Sequence, residues 1–180
     1  IVKNCVITDF GYGIGFSNTN NGKIVNNTVN SNTNGIYLSS SSNNNLTDNQ
    51  ANVNTNWGIS LTASSNNKLI NNAVLFNNRQ ILIDSSSSNN ILSGNNASVG
   101  NVNIYGIQIL SSSNNNTLTN NRIATAASYH GLYIVSSDNN TVSSGNVSAT
   151  GTGYAIYLSS AAGNNISLNT FSTTSSASHG

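Results

Sequence analysis

The chain has 180 residues, enough for one domain, and its 36% hydrophobic content builds a core only if the pattern gathers those side chains on one face. Five Lys and Arg against four Asp give a net charge of +1, which excludes the basic surface that nucleic-acid binding needs. With one cysteine (Cys5), no Met and two His, an internal disulfide is excluded and little remains for a metal site, so the sequence assigns no metal and no cofactor.

Asn and Ser fill 39 and 31 positions, which implies disorder unless the chain is periodic. It is periodic. The first element is an apolar-x-x-Asn-x-apolar block, Ile1/Asn4/Val6, with Ile1 expected to face inward. A Gly-Ile pair follows, Gly13-Ile14, with a second apolar residue two places on at Phe16. The two blocks then alternate along the chain. Ile24/Asn27/Val29 precedes Gly35-Ile36 with Leu38, Leu46/Asn49/Ala51 precedes Gly58-Ile59 with Leu61, and Leu69/Asn72/Val74 precedes Gln80-Ile81 with Ile83. Leu92/Asn95/Ala97 leads to Gly106-Ile107 and Ile109, with Ile91 competing with Leu92 for the inward place. Leu118/Asn121/Ile123 leads to Gly131-Leu132 and Ile134, Val142/Gly145/Val147 to Ala155-Ile156 and Leu158, and Ile166/Asn169/Phe171 comes last. The Gly-Ile places are 22, 23, 22, 26, 25 and 24 residues apart.

Apolar residues two apart predict short strands with one buried face. A unit this short cannot bury that face alone, so its copies must stack, and the sequence predicts an all-β parallel solenoid of about eight coils of 22–26 residues. At about 4.8 Å per coil the rod is roughly 38 Å long. Leucine-rich repeats share the period, but the Ser/Asn runs between blocks, such as Ser39 to Asn45 and Ser85 to Asn90, are poor helix material. Asn4, Asn27, Asn49, Asn72, Asn95, Asn121 and Asn169 are expected to form one amide ladder at a bend, where ladder pairing of the backbone fails. The Gly before each inward Ile is expected to supply a positive φ at another corner.

The pattern Asn-Asn-x-Ile-x-x-Asn-x-Val, then Gly-Ile-x-Leu, then Ser-Ser-Ser-Asn-Asn resembles the right-handed, single-stranded parallel β-helix repeats of the pectin-lyase-like superfamily, and is most similar to NosD-type repeat arrays of archaeal cell-surface proteins. The resemblance covers residues 1–180 and implies the right hand of the coil. It leaves function open, since the superfamily holds lyases, glycosidases, adhesins and structural arrays. NosD-type proteins are associated with copper delivery, which these residues do not support. The family's catalytic motifs match no position.

A glycosidase or calcium-assisted lyase needs converging carboxylates, yet Asp9, Asp48, Asp84 and Asp138 lie in different neighbourhoods of the repeat. Arg79 and Asp84 share a coil and are expected to form a solvated ion pair. His130 has no acidic partner at matching positions and His179 lies in a Ser-rich tail, so no catalytic residue is assigned. Two residues before each inward apolar stand Tyr12, Asn34, Trp57, Arg79, Tyr105, His130 and Tyr154. Tyr37, Tyr133 and Tyr157 lie between the inward pairs and should point outward. Tyr12, Trp57, Tyr105, Tyr154, Tyr37, Tyr133 and Tyr157 are therefore candidate glycan-stacking rings. The alternative is that the first column turns inward and packs. Asn26, Asn45, Asn96, Asn115, Asn139, Asn146 and Asn165 are candidate glycosylation sites, although seven sequons are no more than chance predicts. A regular Thr-x-Thr face suited to ice is missing from the outward column.

The sequence thus points first to a non-catalytic extracellular or cell-surface β-helix of structural or adhesive role. A carbohydrate-binding module using the aromatic ladder is the alternative, and a lyase or glycosidase the less favoured one. Its expected partners are neighbouring coils or end-to-end copies, and polysaccharide. No membrane span is expected, because no apolar run approaches the ~20 residues a bilayer requires. Residues 1–180 read as an excerpt of a longer protein.

Overall fold

A computed structural model describes residues 1–103, 105–126, 129–149 and 152–173. The period-2 pattern does what it must: strands pair in parallel, each residue meeting one 22 to 26 positions further on, as in Val2 with Ile24 and Leu92 with Leu118. Three sheets result. Sheet I has eight strands, from Val2–Lys3 and Lys23–Val25 to Asn165–Ser167, and sheet II has seven, from Tyr12–Ser17 to Ile156–Ser159. Sheet III starts at Val6–Ile7 and Thr28–Val29, narrows to single bridges at Gln50 and Ala73, and resumes at Asn96–Asn103, Arg122–Ala126, Asn146–Ala149 and Thr170–Thr173. The solenoid therefore closes about seven turns and begins an eighth.

Its interior is filled by apolar columns, one each from sheets I and III and two from sheet II. Ile24, Leu46, Leu69 and Leu92 enter from sheet I, Val29, Ala51 and Val74 from sheet III, and Ile36, Leu38, Ile59, Leu61, Ile81 and Ile83 from sheet II, all fully buried. Leu92 takes the inward place in register with Leu69, while Ile91 pairs with Lys68 on the outer face. The first block is shifted by one residue from its expected reading. Val2, not Ile1, pairs with Ile24, and Val6 and Ile7 pair with Thr28 and Val29. Ile1 is 84% exposed, and Asn4 is outside the inner ladder, at φ 56°, with its Oδ1 accepting from Asn26 Nδ2 at 3.0 Å. Cys5 holds the ladder place, its N–H donating to Asn27 Oδ1 at 3.0 Å. The corner residue must be left-handed, which Asn tolerates better than Cys.

That shift exposes the rule of the corners. An exposed left-handed residue is followed by a buried polar one, as in Asn26-Asn27, Ser40-Ser41, Asn43-Asn44 and Ser31-Asn32. The buried member bonds along the rod axis. Asn72 Oδ1 accepts from the N–H and Nδ2 of Asn49, both at 3.0 Å, and Asn72 Nδ2 donates to Leu46 O and to Asn95 Oδ1, both at 2.9 Å. Asn27, Asn49, Asn72, Asn95 and Asn121 form this ladder, and Gly145 N–H continues it to Asn169 Oδ1 at 2.8 Å.

Three further inner ladders were not foreseen. Asn44, Asn67, Asn90, Asn116, Asn140 and Asn164 make the second. Ser41, Ser64, Ser87, Ser113 and Ser137 make the third through their hydroxyls. Asn32, Asn54 and Asn77 make the fourth, closed by Gln80, whose Oε1 accepts from Asn77 Nδ2 at 2.9 Å. The glycines before the inward Ile do not supply positive φ: among the described residues the positive-φ glycines are Gly94 and Gly163. Space is the reason instead. A Cβ on Gly58 would run into Val74 Cγ1, the Asn77 amide and the Gln80 carbonyl oxygen.

Asn72→Ala strands the Asn49 N–H inside the rod and removes the bonds that Asn72 makes with Asn49 Nδ2 and Leu46 O, for a loss of about 2–4 kcal/mol. Asn71→Ala, at an exposed corner of φ 53°, costs only about 1 kcal/mol. Chemical-denaturation midpoints of the two variants check the difference.

Candidate functional site

With the interior filled by Ile and Leu and the corners by amides and hydroxyls, the outward positions of sheet II are where the repeat leaves composition free. Two columns stand there side by side. In the first, Tyr12 pairs with Asn34 and Trp57 with Arg79. In the second, Gly15, Tyr37, Ser60, Leu82, Gln108, Tyr133 and Tyr157 follow one another in register. All the aromatic members of both columns are half-buried or exposed. The inward-packing alternative for the first column is thereby overturned, because the inward places are already occupied by the Ile and Leu of the core.

The rings meet each other rather than standing two coils apart. Tyr12 and Tyr37 are 5.3 Å apart and tilted by 38°. The Arg79 guanidinium lies 4.8 Å from the Trp57 ring centroid, so the Arg side chain covers one indole face. Farther along, Tyr105, Tyr129, His130, Tyr133, Tyr154 and Tyr157 form one connected cluster. Tyr105 touches Tyr129 at 5.1 Å edge-on and Tyr133 at 4.8 Å. His130 is stacked on Tyr157 at 4.8 Å and 7°, and lies 5.2 Å from Tyr154. Tyr133 and Tyr157 are stacked at 5.2 Å and 15°. In-register strands hold successive side chains one coil apart, close to ring-stacking distance. Stacked rings therefore turn their faces along the axis and show edges and hydroxyls to solvent, while the tilted Tyr12, Tyr37 and Tyr105 keep part of a face free. Tyr129 was missed, lying just before the column position; only its adjacency to His130 in the sequence signals it.

The cluster is electrically quiet. His130 Nδ1 accepts the Tyr154 N–H at 3.0 Å, which places the ring proton on Nε2. Burial pushes the His130 pKa down, toward the neutral ring. Burial also pushes Tyr105 up, helped by Tyr133 and Tyr129 and opposed by Arg79.

The carboxylates are dispersed. Asp9 and Asp48 occupy left-handed corner places at φ 67° and 55°. Asp138 serves an outer ladder, its N–H donating to Asn114 Oδ1 and its Oδ1 accepting the Ala162 N–H, both at 2.7 Å. Asp84 ends the strand Arg79–Asp84. The expected Arg79–Asp84 ion pair does not form, because the two stand at opposite ends of an extended strand, about 17 Å apart. Asp84 Oδ1 and Gln108 Oε1 are buried without hydrogen-bond partners. Among the sequons, Asn26, Asn115, Asn139, Asn146 and Asn165 are exposed. Asn45 and Asn96 are half-buried, their Oδ1 atoms accepting from Thr47 Oγ1 at 2.7 Å and Ser98 Oγ at 2.6 Å. His179 lies outside the described residues.

His130 gives the fold a pH dependence of definite sign. Its pKa is depressed in the folded state, so the unfolded chain takes up the proton first. The stabilisation is complete above about pH 6.5 and is lost as pH falls through the lower folded value. Thermal melts across that range fall on the acid side for the native chain, and the fall is smaller for His130→Gln.

Comparison with known proteins follows the same geometry. The model of the right-handed β-helix region matches residues 1–123, and that of the periplasmic copper-binding protein NosD matches residues 77–179. No curated protein sequence matches significantly. Among solved structures, the A-module of the Azotobacter vinelandii mannuronan C-5 epimerase AlgE4 is 16% identical at TM-score 0.75, covering 98% of this chain and 56% of that one. The periplasmic alginate epimerase AlgG is 17% identical at TM-score 0.72, covering 96% and 51%. A variant of DFA-IIIase from Arthrobacter chlorophenolicus A6, in complex with DFA-III, is 15% identical at TM-score 0.80, covering 98% and 47%. The chain spans about half the length of these structures, and at such identity the likeness is one of fold. The residues do not fit the copper in the NosD description. The Cys5 thiol contacts Lys3 O at one end of the rod, His130 is about 24 Å away by coil spacing with Nδ1 engaged, and the described residues hold no group of three His, Cys, Asp or Glu that could take a metal. What transfers is the repeat itself, and the chain belongs to the right-handed β-helix family, with NosD-type repeats of the pectin-lyase-like superfamily.

Proposed function

We propose that the chain is a non-catalytic, structural and adhesive β-helix, a stiff rod outside the cytoplasm whose flanks carry its role. One observation carries this reading: the four carboxylates are committed to separate stations of the repeat, three at or beside corners and one at a strand end. Paired carboxylates for glycoside chemistry must stand about 5–9.5 Å apart across a shared sugar site, and corner places on different coils do not provide that. The periplasmic descriptions of NosD and of the AlgG epimerase support an extracellular or periplasmic setting. Coil-on-coil contact with further copies belongs to the same reading.

Carbohydrate binding is the second reading, favoured by the part-free faces of Tyr12, Tyr37 and Tyr105 on the open side of sheet II. Structures of this fold include a mannuronan epimerase module and an enzyme in complex with DFA-III, which makes saccharides the natural screen. Electron microscopy of the native material is expected to show rods docked on one another or on a lattice. Turnover of a polysaccharide, abolished by Asp84→Asn, overturns the non-catalytic reading. A Trp57 fluorescence shift on adding polysaccharide without turnover, lost in Tyr105→Ala, moves the assignment to the binding module.

A further inference from the structure

The first amide ladder has a break in it. Along the rod the N–H of each ladder Asn is accepted by the Oδ1 of the next, Asn27 by Asn49, Asn49 by Asn72, Asn72 by Asn95 and Asn95 by Asn121, at 2.9–3.0 Å. The place opposite Asn121 belongs to Gly145, because Arg122 pairs with Asn146. Glycine has no oxygen to offer there. Asn121 is buried, and among the described residues its N–H has no acceptor. Such orphans are rare in folded chains, since a buried N–H gives up its hydration for nothing.

The intact rungs define what an Asn side chain at this place would bond. Its Oδ1 would accept from Asn121 N–H and Nδ2, as Asn95 Oδ1 accepts from Asn72. Its Nδ2 would donate to Leu118 O and Asn169 Oδ1, as Asn72 Nδ2 does to Leu46 O and Asn95 Oδ1. At Gly145 these groups converge on a place that holds no side chain. The space is open, for a Cβ on Gly145 would stand 3.9 Å from Asn121 N, 3.0 Å from Asn121 O and 3.1 Å from Asn169 Oδ1, whereas one on Gly58 would run into Val74 Cγ1. We infer that a water molecule completes the ladder at Gly145, accepting from Asn121 N–H and Nδ2 and donating to Leu118 O and Asn169 Oδ1. A buried water needs roughly two to four polar partners and room for about one solvent-sized probe, and the place of a carboxamide supplies both. The lining groups are neutral. An anion would face the two oxygens and a cation the Asn121 N–H, so an ion fits this lining less well than water does. Gly145 is half-buried between the exposed Ser144 and Asn146, which gives the water its way in from the corner. Neighbouring coils are linked at this joint through solvent instead of through an amide. The water site goes beyond the structural reading above and does not depend on it.

A high-resolution crystal structure of the intact chain tests the site directly. An ordered water is expected within about 3.2 Å of Asn121 N and of Leu118 O or Asn169 Oδ1. A gap without ordered water, or a protein oxygen moved onto the Asn121 N–H, overturns the site. Amide hydrogen exchange on the same chain gives a second readout. The Asn121 N–H is expected to exchange at least about tenfold faster than the N–H groups of Asn72 and Asn95, whose acceptors are amides. Equal protection of the three overturns the site. Gly145→Asn then separates a bound water from general fraying of the coils. Gly145 is not left-handed, so Asn is allowed there, and Asn121 O has only to give by a few tenths of an ångström. In this variant the water is displaced and the Asn121 N–H slows to the rate of Asn95, while Asn72 and Asn95 keep their rates. Should Gly145→Asn fail to fold, Gly145→Ser offers the smaller acceptor that the Ser ladder uses and is expected to slow the same N–H part of the way. A folded variant that leaves the Asn121 rate unchanged overturns the site.

Discussion

A parallel β-helix must turn its chain several times per coil, and at each turn the strands lose the geometry that pairs their backbone groups. Everything else in this molecule follows from how that loss is made good. The chain solves it with a two-residue device: a left-handed residue that reverses direction, then a buried side chain whose oxygen accepts the N–H of the preceding coil. In Asn44 that oxygen takes the Gly22 N–H at 2.7 Å, while its own N–H goes to Asn67 Oδ1 at 2.9 Å. An amide suits the place because it accepts and donates at once, and a Ser hydroxyl suffices where the donor can turn back to a nearby carbonyl, as Ser64 Oγ does to Thr62 O at 2.8 Å. An unmet backbone group buried here would cost about 1–3 kcal/mol, and the device recurs in coil after coil, so it is a leading determinant of the fold.

The same device fixes what the surface can be. The corner's outer residue is constrained by φ and its inner residue by the ladder, while sheet interiors are constrained by the apolar column. Only the outward strand positions, and the few corners where strain is tolerated, are left to vary. On sheet II those positions hold rings at the coil rise wherever aromatic residues fall on neighbouring coils, so Tyr12 meets Tyr37 and the rings from Tyr105 to Tyr157 gather into one wall. Its stacked members His130, Tyr133 and Tyr157 offer edges, and its tilted members offer faces. Any ligand for this wall meets hydroxyls and ring edges more often than an open aromatic platform.

Much of this could be read from the residue order, and the failures have definite causes. The inward pairs were legible because period-2 alternation and coil length are both set by the core. One amide ladder was legible because its Asn stands between two apolar residues. The Ser and second Asn ladders hid inside low-complexity runs such as Ser39 to Asn45, where every residue is small and polar and nothing apolar marks the inward one. The signal was there in the spacing Ser41-x-x-Asn44, Ser64-x-x-Asn67 and Ser87-x-x-Asn90. The first block slid by one residue because Ile1 and Val2 are equally apolar, and only the partner strand decides between them. Glycine was misread because a residue with no side chain serves two purposes, and here the Val74 methyl and the Asn77 amide beside Gly58 need the room. The meeting of Arg79 with Trp57 rather than Asp84 was beyond one-dimensional reading, since residues 22 apart are neighbours and residues five apart on a strand are not.

The doublet logic also explains why Asn is so abundant without being functional in the chemical sense. In Asn26-Asn27, Asn71-Asn72 and Asn120-Asn121 the first amide is chosen for its tolerance of left-handed φ and the second for its paired donor and acceptor. One residue type meets two unrelated demands, so the repeat can drift in its outward residues while its frame is held by these pairs. Departures from the doublet are then informative in a way that departures on an open strand are not. Gln80 ends a ladder from within its own coil, and the following coil, four residues longer at 26, shifts its register between Ser98 and Asn103. Val53 and Phe76 put apolar groups where the frame prefers a small polar one. In a chain this regular, the positions that break the frame's own rule are where selection for something other than folding has to be sought.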